Sequence, residues 1–414
     1  MTQTVPHILL ANVFFAPFSY GGATVVAEEV ARSLVRRGAA KVSAVSLMSR
    51  AELAPYTVIR SHVGGIDNYL INMPAGRSPQ AFWDNPEVEA VLDDLMGQLS
   101  PDLLHAHCIQ EIGIGLLRAA DRRQVPTILS VHDFWWICER QFMVRMDNVY
   151  CGQNPVRVEA CKGCVGDINA TRSRFEALTE AAQMAQIVTY PSRFALELCE
   201  ASNLAPGHGV VWENGVHLPG PGFAAAQAAR RTRDPRTVFG FVGGPSQIKG
   251  WPIIRAAFKG LERADFRVDL VDGSRDGEWW RGHSFADLPG EWRVLPRFEQ
   301  TDMDQFYAGI DVLLFMSQWK ETFGLAIREA LARGIHVIQT DSGGTTEHGA
   351  VDPARLIPIG AGPQALQTQL EEAILKGHQD LPTTRDVTGF DDQARALEHE
   401  ISKLVAPGPA VSTS

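Results

Sequence analysis

Residues 317–334 read Ser317-Gln-Trp-Lys-Glu321-Thr-Phe-Gly324-Leu-Ala-Ile-Arg-Glu329-Ala-Leu-Ala-Arg-Gly334, directly after the apolar segment Val312-Leu-Leu-Phe315. Apolar residues recur at helical spacing from Gly324 onward, so the pattern predicts a buried strand, a loop and a helix that begins near Gly324. The first N–H groups of a helix are unpaired within it and hold anions such as a diphosphate well. Glu321 is then in the loop and Glu329 in the helix, where carboxylates can accept hydrogen bonds from sugar hydroxyls.

Outward from this stretch, short apolar segments alternate with longer amphipathic segments along most of the chain. Strands that alternate with helices build parallel sheets from βαβ units, so we predict two α/β units. Strands are predicted at 7–13, 42–47, 68–73, 103–106, 127–131, 187–190, 210–212, 237–243, 268–272, 292–295, 311–315 and 335–340. Helices are predicted at 22–37, 86–99, 111–123, 171–185, 193–201, 251–263, 302–309, 325–333, 363–376 and 390–405. In open parallel sheets, ligands bind beyond the carboxyl ends of the strands.

Breaks in this alternation suggest the domain boundaries. Residues 217–236 begin with clustered Pro and Gly and predict an interdomain connection, although their Ala-rich middle is compatible with a short helix. We therefore predict an N-terminal domain over 1–216 and a C-terminal domain over 237–389. A last helix, 390–406, can cross back to the first domain, and the Ser/Thr-rich end, 407–414, is expected to be disordered.

The composition excludes several classes of function. The 414 residues include 38 Lys and Arg against 48 Asp and Glu, a formal net charge of −10 that argues against binding nucleic acid. No run of 18 apolar residues and no basic amphipathic helix face stands out, so we expect no stable membrane insertion. The N-terminus lacks the pattern of a signal peptide, and we expect a cytoplasmic protein.

The stretch 317–334 resembles the Glu-x7-Glu signature of the GT-B retaining glycosyltransferases, specifically family 4 of that class. Further segments agree with that family in their order, and they are Phe18-Ser-Tyr-Gly21-Gly22, Leu104-His105-Ala-His107, Leu129-Ser-Val-His132-Asp133, Glu213-Asn214-Gly215-Val216, Phe241-Val-Gly243-Gly244 with Lys249-Gly250, and Asp341-Ser-Gly343-Gly344-Thr-Thr-Glu347. The resemblance covers about 10–400. It implies two Rossmann-like, doubly wound domains that face each other across a cleft.

The resemblance also implies an activity, the retaining transfer of a sugar from a nucleotide diphosphate sugar, with UDP- and GDP-sugars as the first donors to consider. The implied catalytic residues are His132 at the donor sugar, Glu321 facing that sugar and Lys249 at the diphosphate, where a cation stabilises the leaving group. The implied donor-binding residues are Gly21, Gly22, Lys249, Phe323, Gly324, Leu325 and Glu329. Of these, Glu329 is expected to bind the ribose hydroxyls. The acceptor stays open between a polysaccharide or other carbohydrate, a glycolipid and a small molecule.

The sequence departs from the family pattern beside Lys249. Many members place an Arg a few residues before this lysine, whereas residues 243–247 here read Gly-Gly-Pro-Ser-Gln. One phosphate contact is then missing or is supplied elsewhere, and Arg297 and Lys320 are candidates. No Asp-x-Asp metal motif appears where a Mg²⁺-bridged donor would need one, so we expect no catalytic divalent metal.

Four of the six cysteines lie in a Gly-, Asn- and Pro-rich insertion over 134–168. They are Cys138, Cys151, Cys161 and Cys164. The Cys-x2-Cys pair can form a ligand knuckle, and four thiolates suit Zn²⁺ or a [4Fe–4S] cluster. We predict a four-cysteine metal site that shapes the acceptor side, with free or disulfide-paired cysteines as the alternative. The adjoining aromatic residues 134–136 suit either packing against this loop or stacking on a sugar.

Two other functions remain compatible with the same residues. One is a sugar- or nucleotide-binding protein without catalysis on the same fold, which the missing Arg favours and the presence of Glu321, Glu329, Lys249 and His132 opposes. The other is a nucleotide-sugar epimerase, which would need no acceptor. The nucleobase, the sugar and the oligomeric state cannot be inferred from the residues.

Overall fold

The computed structural model describes residues 5–377 and 387–405, so the predicted disordered end at 407–414 lies outside the described residues. The chain divides into two compact units. The first comprises Met1–Phe142, Gln153–Gly215 and Thr388–Ser414, and the second comprises Met143–Gly152 and Val216–Val387. Each unit contains its own sheet.

The sheet of the first unit has the strand order β3-β4-β2-β1-β5-β6-β7-β8. Its strands are β1 His7–Ala11, β2 Lys41–Met48, β3 Val58–Val63, β4 Ile66–Asn72, β5 Leu103–Ala106, β6 Thr127–Ser130, β7 Ile187–Tyr190 and β8 Gly209–Val211. All described pairs are parallel except β3 with β4, which form an antiparallel hairpin at the sheet edge. The helices of this unit are α1 Gly22–Arg36, α2 Pro86–Leu99, α3 Gly115–Arg122, α4 Ile168–Ala182 and α5 Arg193–Ala201.

The sheet of the second unit is parallel throughout its described strands, in the order β11-β10-β9-β12-β13. These strands are β9 Thr237–Phe241, β10 Phe266–Val271, β11 Glu291–Leu295, β12 Val312–Phe315 and β13 His336–Gln339. The helices are α6 Phe223–Arg233, α7 Trp251–Lys259, α8 Met303–Ala308, α9 Leu325–Ala332 and α10 Pro363–Lys376. Two α/β units with parallel-sheet cores confirm the predicted fold class.

The core of the second unit lies on both faces of its sheet because neighbouring strand residues point to opposite faces. Phe239 contributes to the core beneath α7 and α10, and Val238 contributes to the core beneath α6 and α8. Both residues are fully buried. This burial on two faces explains why the central strands β9 and β12 are short segments without charged residues.

The last helix, α11 Phe390–Leu404, packs on the first unit. The Trp212 indole N–H donates to the Gln393 carbonyl at 3.0 Å, and the Gly215 N–H donates to the Gln393 side chain at 2.7 Å. The Ser33 hydroxyl on α1 donates to Asp391 at 2.6 Å. The chain therefore returns to its first unit after completing the second.

The structure decides one alternative that the sequence left open and adds one strand that was not predicted. The Ala-rich part of the connection at 217–236 forms α6, and Phe223 of this helix is buried in the core of the second unit. The edge strand β3 was not predicted. Its residues Val58 and Ile59 are exposed, so the segment lacks the apolar character by which the other strands were recognised.

Candidate functional site

An ion pair joins Lys249 and Glu321 at the carboxyl ends of β9 and β12. The Lys249 ammonium donates to Glu321 Oε1 at 2.8 Å, and the Ser317 hydroxyl donates to the same oxygen at 2.5 Å. The side chains are 32% and 13% exposed, so the lysine remains reachable from solvent. The structure thus brings together two residues that the sequence placed in separate motifs.

The loop that carries Lys249 is held against the loop after β12. Gly250 has φ +82°, and a Cβ there would lie 2.1 Å from the Met316 carbonyl oxygen. The Gln318 N–H also donates to the Ile248 carbonyl at 2.7 Å. Only glycine permits this close approach and this backbone conformation. The Lys-Gly pair therefore fixes where the ammonium group lies.

The predicted helix after Glu321 is confirmed as α9. Its N-cap is Gly324 with φ +83°, and no described side chain caps its first turn. Glu321 is joined to the following loop through its main chain, since its N–H donates to Ser342 and its carbonyl accepts from Gly344. An uncapped helix start beside a lysine forms a favourable place for an anion.

Glu329 lies one turn inside α9. The Tyr307 hydroxyl donates to Glu329 Oε2 at 2.9 Å and so fixes the carboxylate. Burial raises the pKa of Glu329, while the hydrogen bond from Tyr307 and the charge of Arg333 oppose this effect. A carboxylate held in this way can accept hydrogen bonds from a diol.

Arg328 is the largest side chain among those buried to within 2% exposure. Its guanidinium donates to the main-chain carbonyls of Phe323 and Thr345 at 2.7 and 2.8 Å, and to those of Gly344 and Glu347 at 3.1 and 2.7 Å. It also lies 4.2 Å from the centroid of the Phe323 ring. Arg328 therefore clamps the loop before α9 to the loop after β13.

Lys320 and Arg297 are the two candidates for the missing phosphate contact. Lys320 donates to the Asp341 carbonyl at 2.7 Å and pairs with its carboxylate at 3.0 Å. Arg297 is exposed after β11.

Trp279 packs against the loop after β9, where a Cβ on Gly244 would lie 2.6 Å from its ring. Its neighbour Trp280 is a core residue that donates to the Val271 carbonyl.

In the first unit, the predicted glycine loop leads directly into α1. Gly21 is the N-cap with φ +85° and Gly22 is the first helical residue, and no described side chain caps this helix start. A Cβ on Gly21 would meet no atom within 4 Å. The positive φ, and not crowding by protein atoms, is therefore the structural reason for glycine at this position.

Three histidines cluster at the ends of β5 and β6. His107 Nδ1 and His132 Nε2 are 2.8 Å apart, and the His105 and His107 ring centroids are 4.0 Å apart. His105 Nε2 is 2.8 Å from the Ser130 hydroxyl. Burial lowers the pKa of His105 to about 3 and of His132 to about 4, and it lowers the pKa of His107 well below its usual value. All three rings are neutral at pH 7.

This cluster predicts a loss of stability in mild acid. Between pH 6.5 and about 4, an unfolded histidine binds a proton whereas His105 does not, so the free energy of unfolding falls as the pH falls. We expect His105→Gln to reduce the slope of unfolding free energy against pH by about 1 kcal/mol per pH unit in this window and not above pH 7. Urea denaturation at a series of pH values measures this slope. Equal slopes for both proteins would contradict the prediction.

The aromatic segment after His132 packs in the interior. Phe134, Trp135 and Trp136 are 0%, 7% and 3% exposed. The Arg174 guanidinium lies 4.8 Å from the Trp135 ring centroid and donates to its carbonyl at 2.6 Å. Of the two predicted uses of this segment, the structure supports packing.

The predicted four-cysteine metal site is not supported. Cys138, Cys151, Cys161 and Cys164 are all half-buried. The Cys-x2-Cys turn forms, with the Cys164 N–H donating to the Cys161 carbonyl at 2.8 Å. Within residues 5–377 and 387–405, however, no three His, Cys, Asp or Glu side chains gather as a metal site would require. Among the described residues, no further ligands therefore gather around this turn, and the spacing of the cysteines along the chain did not indicate this.

Several residues of the group escaped the sequence analysis. Tyr307 and Ser317 are ordinary in sequence and gain a role only by contact with the two glutamates. Arg328 lies within the predicted helix without any assigned role, and His107 was named only as part of the segment Leu104-His105-Ala-His107. A signal for His107 was available, because a second histidine two residues from His105 is unusual in an otherwise apolar strand end.

Comparison with known proteins identifies the family of each domain. Residues 20–218 match the family model described as Glycosyltransferase Family 4, and residues 236–404 match the model described as Glycosyl transferases group 1. No curated protein sequence matches the chain. None of the helices in the described residues is both long and apolar enough to cross a membrane.

Solved structures share the fold at low sequence identity. Sucrose-phosphate synthase from Thermosynechococcus elongatus is 16% identical with a TM-score of 0.61, covering 96% of this chain and 94% of its own. Anabaena HepE in complex with UDP and glucose is 17% identical with a TM-score of 0.59, covering 96% of both chains. The catalytic domain of starch synthase IV from Arabidopsis thaliana, bound to ADP and acarbose, is 14% identical with a TM-score of 0.58, covering 96% and 95%. The overall fold is therefore GT-B.

Proposed function

Because residues 20–218 and 236–404 are glycosyltransferase domains on a GT-B fold, we propose that this chain transfers a sugar from a nucleotide diphosphate sugar to an acceptor, with retention at the anomeric carbon. The observation that carries the proposal is the Lys249–Glu321 pair beside the uncapped start of α9. It combines a cation, a carboxylate and helix N–H groups in one unit. These are the groups that a diphosphate and a sugar need.

In this proposal the bond between the anomeric carbon and the diphosphate breaks, and the nucleoside diphosphate leaves with the bonding electrons. The acceptor hydroxyl forms the new bond on the same face, and its proton passes to an oxygen of the departing diphosphate. Lys249 and the N–H groups near Phe323, Gly324 and Leu325 stabilise the charge that develops on the leaving diphosphate. Lys249 exchanges part of its contact with Glu321 for a phosphate oxygen, and Glu321 then faces the donor sugar.

The remaining roles complete the donor contacts. Glu329, fixed by Tyr307, accepts hydrogen bonds from the ribose hydroxyls. From the first unit, Gly21 and Gly22 offer main-chain groups to the donor, and His132 contacts the donor sugar. UDP-sugars are the first donors to test, and GDP-sugars the second. The complex of Anabaena HepE with UDP supports this order.

Nucleotide binding gives the first test. We expect one of UDP, GDP, ADP and dTDP to raise the melting temperature of the wild-type protein by several degrees, since a ligand at about 100 times its dissociation constant adds roughly 2.7 kcal/mol of stability. Glu329→Ala should abolish this shift by removing the ribose contact. The measurement is a thermal unfolding scan with and without each nucleotide.

Glu262→Ala is a matched control because Glu262 is an exposed glutamate of the same unit, just after α7. It should keep the full nucleotide shift. No shift with any of the four nucleotides would contradict the proposal and favour a protein that has lost donor binding. Incubation with donor alone separates the epimerase, which would convert the donor sugar without an acceptor.

A further inference from the structure

The hydrogen bond between His107 and His132 limits which ring nitrogen of each histidine can carry a proton. Their facing nitrogens, His107 Nδ1 and His132 Nε2, are 2.8 Å apart, a hydrogen-bonding distance. One proton lies between them, and either ring can be the donor. The two arrangements differ in what they require at the opposite nitrogen of each ring.

Nε2 of His107 decides between these arrangements. This atom is buried and has no hydrogen-bond partner among the described residues, and the whole residue is 1% exposed. If His132 were the donor, neutral His107 would carry its proton on Nε2 as a buried N–H without an acceptor. If His107 is the donor, Nε2 carries only a lone pair. Unpaired buried N–H groups are rarer and less favourable than under-used acceptors.

The groups around His107 do not change this conclusion. The His105 ring lies against His107 at an interplanar angle of 42°, and its Nε2 pairs with the Ser130 hydroxyl, which in turn contacts the Thr189 hydroxyl at 2.7 Å. A doubly protonated ring is also disfavoured, because burial and the neighbouring histidines lower the pKa of His107. His107 therefore stays neutral with its proton on Nδ1.

We propose that His107 is a positioning residue that holds His132 in the tautomer with its proton on Nδ1, so that His132 donates a hydrogen bond to an oxygen of the donor sugar. This inference rests on the proposed function for the identity of the ligand. The tautomer itself follows from the fold of the first unit. Neutral histidine in water favours the tautomer with its proton on Nε2. The hydrogen bond from His107 therefore shifts His132 to the tautomer with its proton on Nδ1.

The direct test is the tautomer of His132 in the ligand-free, full-length protein. Two-bond proton–nitrogen correlation NMR of protein labelled with ¹⁵N-histidine distinguishes the two tautomers, and His132→Asn identifies the His132 signals. We expect the Nδ1–H form at neutral pH. A protonated Nε2 in His132 would overturn the inference, whether or not the protein transfers a sugar.

Variants of His107 connect the tautomer to the reaction. In His107→Asn the side-chain amide can replace Nδ1–H as donor, whereas His107→Leu removes the donor. With UDP-glucose as probe, we expect His107→Leu to lower kcat for donor cleavage roughly 10- to 100-fold while KM stays within about twofold. His107→Asn should recover much of this loss and keep the His132 tautomer.

An exposed histidine provides the control. His62→Leu, on the edge strand β3, should leave kcat, KM and the His132 signals unchanged. If His107→Leu fails to fold, the wild-type spectrum and His107→Asn still test the inference. An equal loss of kcat in the Leu and Asn variants, with both folded, would contradict it. Absence of nucleotide binding would instead contradict the proposed function and leave the tautomer result standing.

Discussion

Replacing Lys249 with methionine is expected to lower kcat for sugar transfer or donor cleavage by roughly 10²- to 10³-fold, the usual effect of removing one group that stabilises developing negative charge. Methionine keeps most of the side-chain length and removes only the ammonium. The Lys249 ammonium is 2.8 Å from Glu321 and 32% exposed, so it can reach a phosphate oxygen without leaving its loop. The measurement is the rate of nucleotide release from the donor whose nucleotide stabilises the protein.

Two further variants separate a phosphate contact from a purely structural role. Lys259→Met, on the exposed face of α7, removes a lysine that pairs with Asp287 and should leave kcat unchanged. The double variant Lys249→Met with Glu321→Gln removes both charges of the pair. If Lys249 only neutralised Glu321, the double variant would recover activity. We expect it to remain at least as impaired as Lys249→Met, and recovery to near the wild-type rate would contradict the role at the diphosphate.

The strand and helix pattern could be predicted from the sequence because each unit buries its sheet on both faces. Strands such as β12 are then continuous apolar segments, and α9 begins after a glycine with positive φ. The edge strand β3 could not be recognised in this way, because an exposed antiparallel edge has no such apolar run. The sequence also left the helix α6 undecided, because its Ala-rich sequence gives little indication of which face is buried.

The candidate site could be predicted only in part. Glu321 and Glu329 could be predicted because both belong to one short segment, in which a loop is followed by the start of a helix. The pairing of Lys249 with Glu321 joins residues 72 positions apart and depends on the adjacency of β9 and β12. The hydrogen bond from Tyr307 to Glu329 depends on how α8 packs beside α9. Such contacts are properties of the packed unit and have no local sequence signal.

The cysteines illustrate the opposite error. Four thiols within a short, loop-rich segment fit the spacing of metal ligands, and the Cys161–Cys164 turn does form. Metal binding requires that side chains from separate turns converge on one point. The spacing of the cysteines along the chain predicts the turn at Cys161–Cys164. It does not predict whether cysteines from other turns lie close enough to bind the same metal ion. The described residues contain the turn without that convergence.

Replacing Arg328 with methionine is expected to reduce the free energy of unfolding by about 3–5 kcal/mol, because several hydrogen bonds from a buried charged donor are lost together. The change leaves the carbonyls of Phe323, Gly344, Thr345 and Glu347 without the donors that Arg328 supplies. Buried acceptors that lose their donors each cost about 1–3 kcal/mol. Urea denaturation of wild type and variant measures the difference. Arg255→Met, on the partly exposed surface of α7, should change the free energy by less than about 0.5 kcal/mol.

The same substitution links stability to function, because Arg328 holds the loop that contains Glu321 against the loop after β13. Released from Arg328, the loop before α9 and the loop after β13 no longer have a fixed separation, and the N–H groups near Gly324 lose their alignment. We therefore expect Arg328→Met to weaken the nucleotide-induced thermal shift at temperatures where the variant is still folded. Arg328→Lys keeps the charge but not the planar fork that reaches four carbonyls, so it should resemble Arg328→Met more than wild type. A full nucleotide shift in a folded Arg328→Met protein would show that the loops hold their positions without the clamp.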